Sequence, residues 1–392
     1  MGQERTELTD VSDRGSSPYF HGRENELNIF NTILNASIEE KKGTNLIIQG
    51  SPGSGKTALI HQCGGIASQK GWDVFKIKAD ALWDMKEFRE SLKKENLLQF
   101  KDVTLKGEFK GIGASTTVYW RKKSILKIIT SLKRPTLLML DEAQHLGHQL
   151  APPTKEAERV VTKVLDTIQN TSLKSPVVLL SAGLGTTMDI FQRFGISRTR
   201  VNALIELGPL DHPSERNIIS DWLIKHAKAK GPINPWIDAI TKETYGWAQH
   251  IISYVSPAVT QLQKHNGKVT DDGFKNMLHQ GRKNKDNDYE RRIIGLFSKE
   301  LTLLSDLLCN TLESKSISYE DIIKTLEKGF DQEKSKELFQ LILERGVLNE
   351  KRGYFNTPIP SMRKWLISHF STKKNEIIES LYHGYNKTTE KN

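Results

Sequence analysis

The sequence is poor in cysteine: Cys63 and Cys309 are the only two in 392 residues, and they lie far apart in no metal-ligand spacing. That leaves no disulfide framework or zinc ribbon to build and fits a reducing, cytoplasmic setting. No stretch approaches 18 consecutive apolar residues, so nothing reads as a membrane span. The opening MGQERTELTDVSDRGSS lacks the apolar run of a signal peptide and reads as a flexible arm over residues 1–17. Internal repeats and low-complexity runs are absent as well. Acidic residues are outnumbered, with 47 Asp and Glu against 57 Lys and Arg, giving a net charge of +10 and a pI near 9.3. Such a balance favours polyanionic partners, nucleic acid first, against the plainer alternative of a solvated basic surface. A hydrophobic fraction of 37% is ample for a core, and the length allows two or three domains.

What is present is organised around Thr44–Thr57, TNLIIQGSPGSGKT. A short apolar strand (Leu46, Ile47, Ile48) runs into Gly50-Ser51-Pro52-Gly53-Ser54-Gly55-Lys56-Thr57, a match to G-x-x-x-x-G-K-[ST], with Ala58 continuing the helix behind it. Glycines let consecutive backbone N–H groups curl round a phosphate, and the helix start adds unpaired N–H groups and a positive dipole end. Lys56 would reach the β- and γ-phosphates, and Thr57 would place its hydroxyl on Mg²⁺.

Around this loop, apolar strands alternate with helical patterns. A helix with Leu27, Phe30, Ile33 and Leu34 at helical spacing comes before it, and a strand at Trp72–Ile77 after it. Thr136–Leu140 is a near-continuous apolar strand ending in Asp141-Glu142. Asp141 would hold Mg²⁺, directly or through water, and Glu142 is placed to align and deprotonate an attacking water. Pro176–Ser181 is a further buried strand whose polar end, Ser181, suits a γ-phosphate sensor, and Ile205–Leu207 is a last short one. The alternation predicts an α/β fold, a parallel sheet with helices on both faces, with Gly50, Asp141 and Ser181 at the carboxyl ends of its strands. Between the two motifs, residues 100–120 alternate in the manner of an inserted β-hairpin dressed with Lys101, Lys106 and Lys110. It reads equally as a basic finger for nucleic acid and as a hairpin whose lysines discourage edge pairing.

The predicted order is a core over 18–210, a helical lid over 211–280, a charged linker over 281–290, a C-terminal domain over 291–370 and a tail over 371–392. The C-terminal domain reads as three helices, two short strands round a tight turn at 346–355 and a final helix from Pro358, a winged-helix pattern. Its presumed recognition helix mixes Lys334, Lys336 and Arg345 with Glu333, Glu337 and Glu344. Those acids argue against tight groove readout and leave protein contacts as an equal reading.

The chain resembles AAA+ ATPases of the branch holding origin-recognition-type initiators, their bacterial relatives and transposition-regulator ATPases. The resemblance rests on Phe20–Leu27 (FHGRENEL), similar to the family's adenine-side box, then on GSPGSGKT (Gly50–Thr57) and LLMLDEAQHL (Leu137–Leu146). The Ser181 strand, ISRTR (Ile196–Arg200) and GWAQHI (Gly246–Ile251) complete it, so that it spans residues 18–370. It implies ATP and Mg²⁺ as ligands, with Lys56, Thr57, Asp141 and Glu142 in the roles above. It further implies a homo-oligomer in which a neighbour's arginine completes the site, Arg198 first, then Arg200 and Arg193. Many members carry an arginine in the lid helix; here the corresponding stretch is Ala248-Gln249-His250, which leans towards slow, switch-like turnover. The expected function is an ATPase switch assembling on DNA with partner proteins. The alternatives are a signalling NTPase that restrains a partner without DNA, and a non-hydrolysing scaffold, against which Glu142 argues.

Overall fold

A computed structural model describes residues 18–93, 124–147, 155–196 except 172, 203–311 and 316–372 except 352. The expected arm (1–17), the basic hairpin (100–120), Arg198, Arg200 and nearly all of the tail lie outside the described residues. The chain divides into two compact units, Met1–Gly50 with Gly55–Leu207, and Ser51–Ser54 with Gly208–Asn392.

In the first unit, helix α1 (Glu24–Glu40) is followed by strand β1 (Thr44–Gly50), helix α2 (Lys56–Gln69), strand β2 (Asp73–Ile77) and the short helix α3 (Met85–Ser91). Helix α4 (Ile125–Ile129), strand β3 (Thr136–Leu140), helix α5 (Lys155–Asn170), strand β4 (Val177–Gly183), helix α6 (Thr187–Arg193) and strand β5 (Ala203–Leu207) complete it. The strands form one five-stranded sheet in the order β2-β3-β4-β1-β5, parallel throughout. The expected α/β sheet is thus present. The central strands β1, β3 and β4 are buried along their whole length, while the edge strands β2 and β5 are partly exposed. This is why the central three read as unbroken apolar runs.

Successive strand residues feed opposite faces of the sheet. Ile47, Leu138, Leu140 and Leu179 join the core under α3–α6, with Ile128, Val164, Leu165 and Phe191. Leu46, Ile48, Leu137, Met139, Val178 and Leu180 join the core under α1 and α2, with Phe30, Leu34, Leu59 and Ile60. The register then aligns the carboxyl ends: Leu140 pairs with Ser181, and Ser181 with Ile47, so Gly50, Asp141 and Ser181 come to one edge.

The second unit opens with helices α7 (His212–Asp221), α8 (Asn234–Thr244) and α9 (Ala248–Lys264). The turn before α9 needs Gly246: its φ is +75°, and a Cβ there would lie 2.2 Å from the Leu210 carbonyl oxygen. Helix α10 runs unbroken over Asp271–Arg292 and corrects the expectation that residues 281–290 form a linker. Several charged residues at this end of the helix have partners. Arg282 and Lys285 both donate to Glu243 at 2.7 Å, Arg292 donates to Asp288 one turn away, and Tyr289 is fully buried. Gly281 is required by packing, since a Cβ would meet the Tyr254 ring at 2.3 Å.

Helices α11 (Ser298–Asn310), α12 (Tyr319–Leu326), α13 (Gln332–Glu344) and α14 (Pro360–Phe370) follow, with strands β6 (Ile317–Ser318), β7 (Asn349–Lys351) and β8 (Tyr354–Asn356). The strands form a small sheet, β6-β8-β7. One core unites this region with the start of α9 and the end of α10: Trp247 and Tyr289 pack in the same cluster as Leu301, Leu338, Phe355 and Met362. The expected lid and C-terminal domain therefore pack as one unit. No helix among the described residues is long and apolar enough to cross a membrane.

Glu243 gives this unit an acid-sensitive joint. Burial pushes its carboxyl up, but hydrogen bonds and charge from Lys285 and Arg282 outweigh that and bring it to about 2. A folded-state value below the ordinary one stabilises the fold above the ordinary value of 4.5, and that share is lost as pH falls towards 2. Glu243→Gln should therefore lose less stability than the native chain between pH 4.5 and 2, measured by urea unfolding across that window.

Candidate nucleotide site

The site grows from the end of β1. Gly53 and Gly55 adopt φ of +80° and +95°, left-handed values that glycine takes without steric cost. They turn the chain from strand into α2, whose first residue is Lys56 and whose N-cap, Gly55, has no side chain to cap it. The α2 N-terminus thus keeps its N–H groups for an anion rather than for a capping oxygen. Lys56 is 7% exposed and folds back so that Nζ donates to the Gly50 carbonyl at 2.8 Å, holding its charge over the loop. Ser54 N–H donates to the Ser51 carbonyl at 3.2 Å, closing the turn.

Asp141, directly after β3, binds on both oxygens. Oδ2 accepts from the Thr57 hydroxyl at 3.0 Å and Oδ1 from the Glu142 N–H at 3.0 Å. Glu142 is exposed, with φ +55°, a left-handed conformation that costs a non-glycine residue about 1–2 kcal/mol. Such strain persists only where neighbours over-determine it. Here they do: Gln144 Nε2 donates to Glu142 Oε2, while Gln144 Oε1 accepts from the Leu184 N–H at 3.2 Å, just past β4. Gly183 makes room for this bridge, because a Cβ would lie 2.8 Å from Gln144 Oε1 and 2.2 Å from Thr187 Oγ1. Ser181 is fully buried, and its Oγ has no hydrogen-bond partner among the described residues.

The first unit therefore brings together Gly50, Gly55, Lys56, Thr57, Asp141, Glu142 and Ser181. Ala58 lies in the first turn of α2. Arg193, the third choice for a finger, is exposed at the end of α6. Within the expected adenine-side box, Arg23 takes φ +68° and pairs with Glu26 at 3.3 Å, and Phe20 and Leu27 pack on the core under α1.

The loop tip, Ser51-Pro52-Gly53-Ser54, packs within the second unit. There the Gly53 carbonyl accepts from Gln249 N–H at 3.0 Å and the Pro52 carbonyl from Arg292 Nη2 at 2.8 Å. His250, beside Gln249, is fully buried with Nε2 3.5 Å from Asp288. Burial lowers the His250 pKa, while His250 and Arg292 overcome the burial of Asp288 and hold that carboxyl below its ordinary value. Gln144, Gly183 and Arg292 are residues that sequence reasoning missed. Gln144 could have been found as an amide two positions after the expected base, whereas Arg292 gives no local signal.

The donor set suits a phosphate with a hard cation: a hydroxyl, a carboxylate, a buried ammonium and an uncapped helix start. Among the described residues no group of three or more His, Cys, Asp or Glu could hold a metal alone. Mg²⁺ commonly takes one or two protein oxygens and draws the rest from phosphate and water.

Fold and site together define a phosphate-loop protein of the nucleoside triphosphatase type. Residues 46–208 match the model of the AAA family, the ATPase family associated with various cellular activities. Among solved structures, a Walker-type ATPase of Pyrococcus abyssi superposes with a TM-score of 0.55 at 12% identity, covering 88% of this chain and 96% of that one. The ORC2 protein of Aeropyrum pernix, solved in ADPNP–ADP complexes, gives 0.55 at 13% identity over 96% and 99%. At these identities the likeness is one of fold. No curated protein matches the sequence.

Gly53→Ala should be more damaging than its size suggests. A Cβ would sit 2.7 Å from Gln249 Cβ at a φ of +80°, so the loop tip must move. Titration calorimetry should show ATP binding weakened at least about tenfold, or about 1.4 kcal/mol. Gly71→Ala, with a similar φ of +81° but nothing within 4 Å, should bind as the native chain does.

Proposed function

We propose that this protein is an ATP-binding and ATP-hydrolysing AAA+ switch that assembles as a homo-oligomer on DNA and recruits or remodels partner proteins. The observation that carries the catalytic part is the Thr57–Asp141 hydrogen bond at 3.0 Å, which joins the phosphate loop to the strand that presents Glu142. Lys56 and the loop N–H groups hold the triphosphate, Thr57 and Asp141 provide oxygens for Mg²⁺, and Ser181 offers a buried hydroxyl for the terminal phosphate. Bound magnesium supplies neutralisation of charge developing on the transferred phosphoryl oxygens. Glu142 orients the attacking water and takes its proton. Gln144 fixes the carboxylate in direction. A neighbour's arginine, Arg198 first, completes the site.

The DNA part rests on the net charge of +10, on the lysines of 100–120 and on reading α11–α14 with β6–β8 as a winged helix. One observation favours the signalling alternative. On α13, Lys334 is already paired with Glu337 at 3.0 Å, which takes a cation away from phosphate contact and suits a protein-facing helix.

Glu142→Gln should keep ATP binding while turnover falls by about 10²–10⁴-fold, seen by phosphate release beside calorimetry. Unchanged turnover would remove Glu142 from its role. A gel shift should show DNA binding that needs ATP and weakens steeply between about 50 and 200 mM salt. No ATP-dependent shift at low salt, with nucleotide-driven oligomers forming without DNA, would establish the signalling reading in its place.

A further inference from the structure

Arg292 ends a highly charged helix, where a solvated side chain would be ordinary, yet it is only 6% exposed. Its guanidinium is shared between two partners: Nε donates to Asp288 Oδ2 at 3.0 Å and Nη2 to the Pro52 carbonyl at 2.8 Å. Nη1 is buried and meets no acceptor among the described residues, and the same holds for the indole Nε1 of Trp247. Both side chains crowd the loop tip. Trp247 Nε1 lies 3.1 Å, and Arg292 Nη2 3.3 Å, from where a Gly53 Cβ would be. Gly346 abuts from another side, its Cβ position 2.5 Å from Pro52 Cδ and 3.4 Å from Arg292 Nη1. All of these residues belong to the second unit.

The chemistry of this arrangement follows from the peptide group. The Pro52 carbonyl and the Gly53 N–H are two ends of one planar amide. A cation fixed on that oxygen fixes the direction of the N–H and draws electron density away from it, making it a stronger donor. Gln249 N–H does the same, without charge, at the Gly53 carbonyl. Burying a guanidinium is costly unless its donors are met, and here Nε and Nη2 are met by Asp288 and by the Pro52 carbonyl.

We propose that Arg292, held by Asp288 and seated on the Pro52 carbonyl, is a positioning residue of the phosphate loop, fixing and polarising the peptide that offers the Gly53 N–H to phosphate. The proposal rests on the reading of that loop as a triphosphate site. It assigns a binding contribution to a residue 240 positions from the loop carbonyl it grips.

The test uses the full chain, titrated calorimetrically with ATP and with ADP, alongside the melting temperature without nucleotide. Arg292→Gln should weaken both nucleotides by about ten- to a hundredfold, the range for a hydrogen bond to a charged group. Arg292→Lys should recover part of the loss, since it restores charge without the guanidinium fork. The double variant Arg292→Met with Asp288→Asn leaves no orphaned charge to unfold the chain, and it should lose affinity equally. If either variant melts lower yet binds ATP as the native chain does, the arginine is structural and the proposal is overturned. If the native chain itself binds neither nucleotide, the triphosphate reading fails first, a result distinct from equal binding by native chain and variants.

Discussion

The carboxylate of Asp141 is the constraint on which the site depends. Through one oxygen it takes the Thr57 hydroxyl, and through the other the N–H of Glu142. Three residues from two distant segments are thereby locked by a single side chain. The lock works because both segments leave the same edge of a parallel sheet, where Leu140, Ser181 and Ile47 are in register. A slip of one residue in that register would move every strand side chain to the other face, and the two cores that pin β1, β3 and β4 forbid it.

Part of the backbone strain falls where chemistry is expected. Gly53 and Gly55 take left-handed conformations without cost, but Glu142 does so at a cost that Gln144 and the Asp141 lock must offset. The amide of Gln144 also reaches the Leu184 N–H, so the proposed base and the end of the Ser181 strand share one hydrogen-bonding side chain.

The second unit adds a set of ion pairs to its apolar core. Glu243 gathers Arg282 and Lys285, and Asp288 gathers Arg292 and faces His250. A run of charges that would favour a solvated linker instead becomes about three turns of ordered helix beside Tyr254, with Tyr289 buried. The same helix ends in Arg292, whose grip on Pro52 gives the phosphate loop a support that no glycine in the loop could provide for itself.

The residues by themselves determined the phosphate loop, the acidic strand end and the alternation of strands and helices. Each depends on neighbours in sequence: Gly53, Gly55, Lys56 and Thr57 sit within one turn, and apolar runs such as Leu137–Leu140 suit a strand buried on both sides. The order of elements after Asp211 was also legible, through helix starts such as His212-Pro213 and the glycines of the turns. Only the tertiary structure decided that residues 281–290 are helix, because Glu243, which pairs with Arg282 and Lys285, lies some forty residues away. It alone decided that Gln144 needs Gly183 and that Arg292 meets Pro52, since those partners are chosen by the packing of elements and not by any local preference of the chain.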